Sequence, residues 1–276
     1  MLDNGKLEEL KRTTQTLKCD VVDMVHKAGS GHLGGSFSAA EMVSYLYFHK
    51  MKADPQNPKW EDRDRFLLSK GHCGPIQYAA LARKGFFPLA ILDTLRDIDS
   101  ILQGHPDWNK TPGIEMTTGS LGQGLSIATG MALAGKLQKK DHTVYAMMGD
   151  GEMQSGMIWE AVMYAGHRGL DNLVAIVDNN RIQCDGKTQD ISAVEPLEDK
   201  FKAFNWEVFS VDGHDFTSID EAFSKLNMKS GKPKAIISYT TKGKGVSFME
   251  CTAKWHGGAP NDEQAQKALD EIRGAC

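Results

Sequence analysis

Apolar residues recur along this chain in two rhythms, and their alternation predicts the fold. Residues 143–148 (TVYAMM) and 173–178 (LVAIVD) are continuous apolar runs of strand length. Between them Met153, Met157, Ile158, Ala161, Val162 and Ala165 fall at helical spacing, which predicts an amphipathic helix over roughly 152–166. Strand, helix and strand make a βαβ unit, whose crossover is right-handed in nearly all proteins. The same reading places helices at 6–27, 38–49, 74–84, 125–139 and 217–229, with further strands at 66–68, 206–211 and 233–240. Leu7, Leu10, Thr14, Leu17, Val21 and Val25 give the first helix its inward stripe. The expected class is α/β, a mainly parallel sheet with helices on both faces.

Composition changes this picture little. Hydrophobic content of 41% and charged content of 25% are those of an ordinary soluble globular chain. A length of 276 residues admits one large α/β domain or two smaller ones. Net charge −4 and a pI near 6.1 give no reason to expect nucleic acid or an anionic membrane as partner. The five cysteines (Cys19, Cys73, Cys184, Cys251, Cys276) are scattered and lack zinc spacing, so they read as reduced thiols of a cytoplasmic protein. Residues 3–12 are too polar for a signal peptide. The uncharged window 116–135 carries five glycines and six Ser, Thr or Gln residues, which argues against a membrane span.

The candidate chemistry lies where the two central strands end. Ligands of open parallel sheets bind beyond the carboxyl ends of the strands, and there this chain has Gly149-Asp150-Gly151 and Asn179-Asn180-Arg181-Ile182. A carboxylate, a carboxamide and a backbone carbonyl are hard oxygen donors, suited to Mg²⁺ or Ca²⁺ rather than zinc. Gly151 permits close backbone approach, and a helix beginning there aims free N–H groups and a positive dipole end at an anion. A metal bridging the protein to a diphosphate is the natural occupant. Gly-Asp-Gly alone is an ordinary turn; the strand before it, the helix after it and the Asn-Asn pair closing the next strand give it meaning.

Other loops carry imidazoles. Residues 28–35 (AGSGHLGG) present His32 on glycine-rich backbone ahead of a helix capped near Ser36 or Ser38. His72 follows the strand at 66–68, where it can equally cap the helix at 74–84, and Arg63, Asp64 and Arg65 read as ion pairs at the strand entrance. His105 stands in Gly104-His105-Pro106, and residues 112–124 form a glycine-rich approach to the helix at 125–139. Lys242 and His256 lie in KGKG and WHGG loops, which composition alone would leave as solvated turns.

Taken together, Gly149-Asp150-Gly151 and Asn179-Asn180 resemble the thiamine-diphosphate motif, and their flanks resemble the amino-terminal domain of transketolase. The resemblance extends over nearly all 276 residues and implies a single diphosphate-binding domain, 1–276. It implies that Asp150 and Asn180 give side-chain oxygens, and Ile182 its carbonyl, to Mg²⁺ or Ca²⁺. Backbone at Gly119, Ser120, Leu121 and Gly151, with His72, Asn180, Lys242 and His256, would face thiamine diphosphate. His32, His72, His105 and His256 would orient substrate hydroxyls or exchange protons. Cys73 departs from the commoner small residue of that motif and reads as a buried side chain. His26, His49, His142, His167 and His214 match no site and read as structural.

Two departures matter. Many transketolases carry a glutamate five residues after the metal aspartate, where this chain has Ser155, although Glu160 keeps a second carboxylate. The glutamate that activates the aminopyrimidine belongs to the following domain of a full transketolase. The implied enzyme is therefore split: a companion chain with the pyrimidine domain, two copies of each chain, and sugar phosphates as substrates of two-carbon ketol transfer. The alternatives are a deoxyxylulose-phosphate-synthase-like carboligase and a non-catalytic regulatory subunit. The run from Gly104-His105-Pro106 to Pro112-Gly113-Ile114 favours transketolase over the synthase.

Overall fold

The computed structural model describes residues 2–274; Cys276, one of the expected reduced thiols, lies outside them. The elements in chain order are α1 (Asn4–Ala28), α2 (Gly34–Ser38), α3 (Ala40–Tyr45), β1 (Arg65–Leu68), α4 (Gly74–Lys84), α5 (Gly124–Leu137), β2 (Val144–Gly149), α6 (Gly156–His167), β3 (Leu173–Asn179), β4 (Ile182–Gln183), β5 (Gly186–Lys187), α7 (Thr188–Ser192), α8 (Leu197–Ala203), β6 (Glu207–Asp212), α9 (Phe216–Ser224), β7 (Lys234–Tyr239) and α10 (Asp262–Gly274). Five strands form one parallel sheet in the order β1-β2-β3-β7-β6, and β4 with β5 makes a small antiparallel hairpin.

Strand residues alternate between two cores because successive side chains leave opposite faces of a sheet. Phe66, Leu68, Tyr145, Met147, Val174, Ile176 and Ile236 face one side, with Leu17 and Val21 of α1, Val43 of α3, Ile76 of α4 and Ile219 of α9. Leu67, Val144, Ala146, Met148, Ala175, Val177 and Ile237 face the other, with Leu125 of α5, Ile158 of α6 and Phe201 of α8. Both faces are thus covered by helices, as the continuous apolar runs of β2 and β3 require. No described helix is long and apolar enough to cross a membrane.

Several local expectations are corrected. The helix expected over 152–166 is instead a 3-10 turn, Gly151–Gln154, followed by α6, because Ser155 is extended (ψ 127°) and interrupts the helical path. The helix expected over 38–49 starts at Gly34, breaks at Ala39 and ends in a π-helical turn, Leu46–Lys50. Neither serine caps it: the Ser36 hydroxyl donates to the His32 carbonyl (2.7 Å), and that of Ser38 to Asp178 (2.6 Å). The helix expected over 217–229 stops at Ser224. Arg63 pairs with Glu115 through two contacts of 2.7 Å, not with Asp64, whose oxygens accept the Lys52 and Thr143 N–H groups at 2.9 and 2.8 Å. Helix α10 carries Ala265, Ala268, Leu269 and Ile272 inward and had no counterpart in the sequence reading.

Candidate functional site

The register of the sheet brings the two polar turns together. Gly149 of β2 pairs with Asp178 of β3, so Asp150 and Asn180 leave adjacent strands at the same edge. Both line a cavity of about 250 Å³, together with Ile182, Lys242, His72 and His256. Leu121, Gly151 and Glu152 close another wall. Of the remaining residues singled out, Gly119 and Ser120 precede Leu121 on the same loop, and a Cβ at Gly119 would meet the His105 ring at 2.9 Å. Gly119 itself has φ +128°, a backbone conformation that suits glycine.

Asp150 is 3% exposed. Its oxygens accept from neutral donors, among them Gly151 N–H at 2.8 Å and the Thr188 hydroxyl at 3.0 Å. No lysine or arginine of the described residues forms an ion pair with it. Burial, reinforced by the neighbouring Asp178 charge, pushes its carboxyl above the ordinary value. The Gly151 N–H expected to face an anion is here turned onto Asp150, since a 3-10 turn and not a long helix starts at that point. Asn180 donates to Ser38 and Asp178, each at 3.2 Å, and its Oδ1 accepts the Ile182 N–H at 3.1 Å.

No three His, Cys, Asp or Glu side chains among the described residues converge as a metal cage. The donor set is one carboxylate, one carboxamide and the Ile182 carbonyl. That composition fits a hard cation which keeps water or phosphate oxygens in its shell, as Mg²⁺ does. Asp150 itself makes no ion pair among the described residues, but Lys70 and Lys242 line the same cavity, and a cation on the Ile182 carbonyl would take the place of the Lys242 hydrogen bond.

Three histidines converge beside this turn. The ring centroids of His32 and His72 lie 5.2 Å apart, those of His32 and His256 5.7 Å, and those of His72 and His256 5.1 Å with the rings stacked. His105 is exposed, with its ring beside Gly119, and its charge is felt at His32. Burial, then the charge of Arg96, lowers His32 to about 4; burial, then Lys242, lowers His256 to about 4; burial, then Lys70, lowers His72 to about 2. All three are neutral imidazoles near neutral pH. Lys242 Nζ donates to the Ile182 carbonyl at 3.0 Å and lies 2.9 Å from His256 Nδ1, so His256 keeps its proton on Nε2. The loop bearing His32 is packed rather than loose: a Cβ on Gly31 would meet Val25 at 2.7 Å, and the Gly31 carbonyl accepts the Gly258 N–H at 2.8 Å.

Sequence reasoning missed two groups. Arg96, at φ +69°, donates to Ser30 Oγ at 2.6 Å and sets its charge near His32 and His105. Glu152 collects three donors inside the cavity wall. Of the groups read as structural, Cys73 is fully buried. His214 accepts the Thr241 N–H at Nε2 (2.8 Å) and donates from Nδ1 to Glu41 (3.0 Å).

Comparison with known proteins identifies the family. Residues 10–274 match the family model described as "Transketolase, thiamine diphosphate binding domain". The chain is 47% identical over 264 residues to a 6-deoxy-6-sulfo-D-fructose transketolase subunit of Clostridium sp. (strain MSTE9), covering 96% of each. It is 43% identical to one of the apulose-4-phosphate transketolase subunits of Phocaeicola vulgatus, covering 97% of this chain and 95% of that one. The solved transketolase of Campylobacter jejuni superposes with a TM-score of 0.90 at 35% identity, covering 99% of this chain but 43% of that longer one. The chain belongs to the transketolase family, as an amino-terminal, thiamine-diphosphate-binding subunit.

Proposed function

We propose that this chain is the diphosphate-binding half of a two-chain transketolase, acting as one domain over 1–276. Asp150 and Asn180 side-chain oxygens and the Ile182 carbonyl hold Mg²⁺, with Ca²⁺ as a substitute of similar hardness. Backbone at Gly119, Ser120, Leu121 and Gly151, with His72, Asn180, Lys242 and His256, receives thiamine diphosphate. When bound, that cofactor supplies the carbanion chemistry of carbon–carbon cleavage and formation. This chain's part is orientation and proton traffic. His256 offers an N–H at Nε2, fixed in that tautomer by Lys242. His32, His72 and His105, their pKa values likewise lowered, bind sugar hydroxyls or pass protons.

The reaction is transfer of a two-carbon ketol unit from a ketose to an aldose. Related subunits are named for 6-deoxy-6-sulfo-D-fructose and apulose-4-phosphate, which supports an anionic ketose as donor here. A companion chain brings the pyrimidine-binding domain, and two copies of each chain form the assembly. The free state of Cys19, Cys73, Cys184 and Cys251 supports a reducing, cytoplasmic setting. The observation that carries the proposal is Asp150, a buried carboxylate with no lysine or arginine paired to it among the described residues, in one cavity with Asn180, Ile182, His72 and His256. Mixing the chain with its candidate companion should yield a heterotetramer by light scattering and ketol transfer absent from either chain alone. Full activity of the isolated 276-residue chain would overturn the two-chain reading.

A further inference from the structure

Glu152 has no place in the ligand sets above, yet three segments meet on it. Its side chain leaves the 3-10 turn one residue past Gly151 and is 5% exposed. Oε1 accepts the Ser69 hydroxyl, at the carboxyl end of β1, and the Gly122 N–H, at 2.9 Å. Oε2 accepts the Gly149 N–H at 3.2 Å, at the end of β2. No lysine or arginine of the described residues pairs with it. Burial pushes this carboxyl above its ordinary value. The three oriented N–H and O–H groups work against burial by favouring the ionised form, whose hydrogen bonds are the stronger, charge-assisted kind. Each of those bonds points to a different stretch of chain.

The loop 119–124 depends on that grip because its own residues hold little. Gly122 has φ +91°, and a Cβ there would lie 2.3 Å from Ser155 Oγ. A Cβ on Gly124 would lie 2.2 Å from Ser69 Oγ. The loop therefore lies backbone-on against Ser155 and Ser69, and neither glycine brings a side chain to fasten it. Ser69 is caught between Gly124 and Glu152. The charge on Glu152 thus ties the Gly122 amide to the turn that carries Asp150.

We infer that Glu152 is a positioning residue, a latch that sets the 119–124 loop against the Asp150 turn before any cofactor arrives. The inference rests on the proposed assignment of that loop to thiamine diphosphate, but the latch itself is a property of the free chain. It is tested by amide hydrogen exchange on the full chain without cofactor, comparing wild type with Glu152→Gln. The glutamine keeps the volume but replaces one acceptor oxygen with an NH₂ group facing an N–H. Exchange in peptides covering 119–124 and 149–151 should accelerate roughly tenfold or more, the loss of a hydrogen bond to a charged acceptor. Peptides of β3 and α1 should keep their rates.

In the complex with the companion chain, calorimetry should show thiamine diphosphate affinity weakened about tenfold by the same change, with the donor KM unaltered. Ser69→Ala removes one donor and leaves Gly122 and Gly149 bonded, so its acceleration should be smaller, about twofold, and confined to the same loop. Loop rates equal to wild type in Glu152→Gln, or acceleration spread evenly over the sheet, would overturn the latch. Failure of the wild-type complex to bind thiamine diphosphate would instead overturn the proposed function and leave the exchange result standing.

Discussion

Asp178, the penultimate residue of β3, and Asp150, one residue beyond β2, stand at the same edge of the sheet and are both almost fully buried. Asp178 is met by the Lys70 ammonium, by the Ser38 and Thr240 hydroxyls and by the Asn180 amide. Burial would raise its carboxyl, but Lys70 overrides burial and holds it below the ordinary range. Asp150 has only neutral donors, and burial together with Asp178 holds it above that range. Equal depth and equal chemistry thus end in opposite electrostatic states. The Asp178 charge is paired within the fold, whereas Asp150 is the carboxylate that the proposed function assigns to a cation.

Lys70 accounts for most of the difference between the two carboxylates. Lys70→Met would leave Asp178 buried and unpaired, and urea unfolding should show a loss of about 3–5 kcal/mol, the usual cost of removing one partner of a buried pair. A loss near zero would mean that hydroxyls alone suffice, and the contrast with Asp150 would disappear.

His256→Ala or His32→Ala should lower turnover, or raise the donor KM, by roughly 10²-fold in the assembled enzyme. His167→Ala, exposed at the end of α6, should change neither. Comparable damage from His167→Ala would show that the clustering of His32, His72 and His256 is not what matters.

A smaller effect concerns pH. The folded chain holds His32 and His256 at about 4 and His72 at about 2, against 6.5 for free imidazole. As pH falls from 6.5 towards 4, the unfolded chain takes up protons that these groups refuse, so their contribution to stability is full above 6.5 and is lost across that window. His72→Gln should show a shallower loss between those limits than wild type by denaturant midpoint. Identical slopes would contradict the lowered values.

Much of this was legible in the sequence, for physical reasons. Continuous apolar runs at β2 and β3 can only be strands covered on both faces, and 74–84 ends at Gly85 with φ +98°, an ordinary helix stop. The Gly-Asp-Gly and Asn-Asn turns were found because a strand's end has one place to put its polar residues. Glu152 was not, because a charged residue after Gly-Asp-Gly looks like a solvated turn, and its partners Gly122 and Ser69 are distant in the chain. Ser36 and Ser38 misled because their hydroxyls serve the His32 carbonyl and Asp178 rather than a helix end. Helix α10 escaped because two of its four buried positions are alanines, a weak apolar signal.

The most direct test titrates thiamine diphosphate into the complex with the companion chain, with and without Mg²⁺, for wild type and Asp150→Ala, by calorimetry. Cofactor binding should require Mg²⁺ in wild type and vanish in the variant. Unchanged, Mg²⁺-dependent affinity in Asp150→Ala would contradict the claim that this carboxylate awaits the metal.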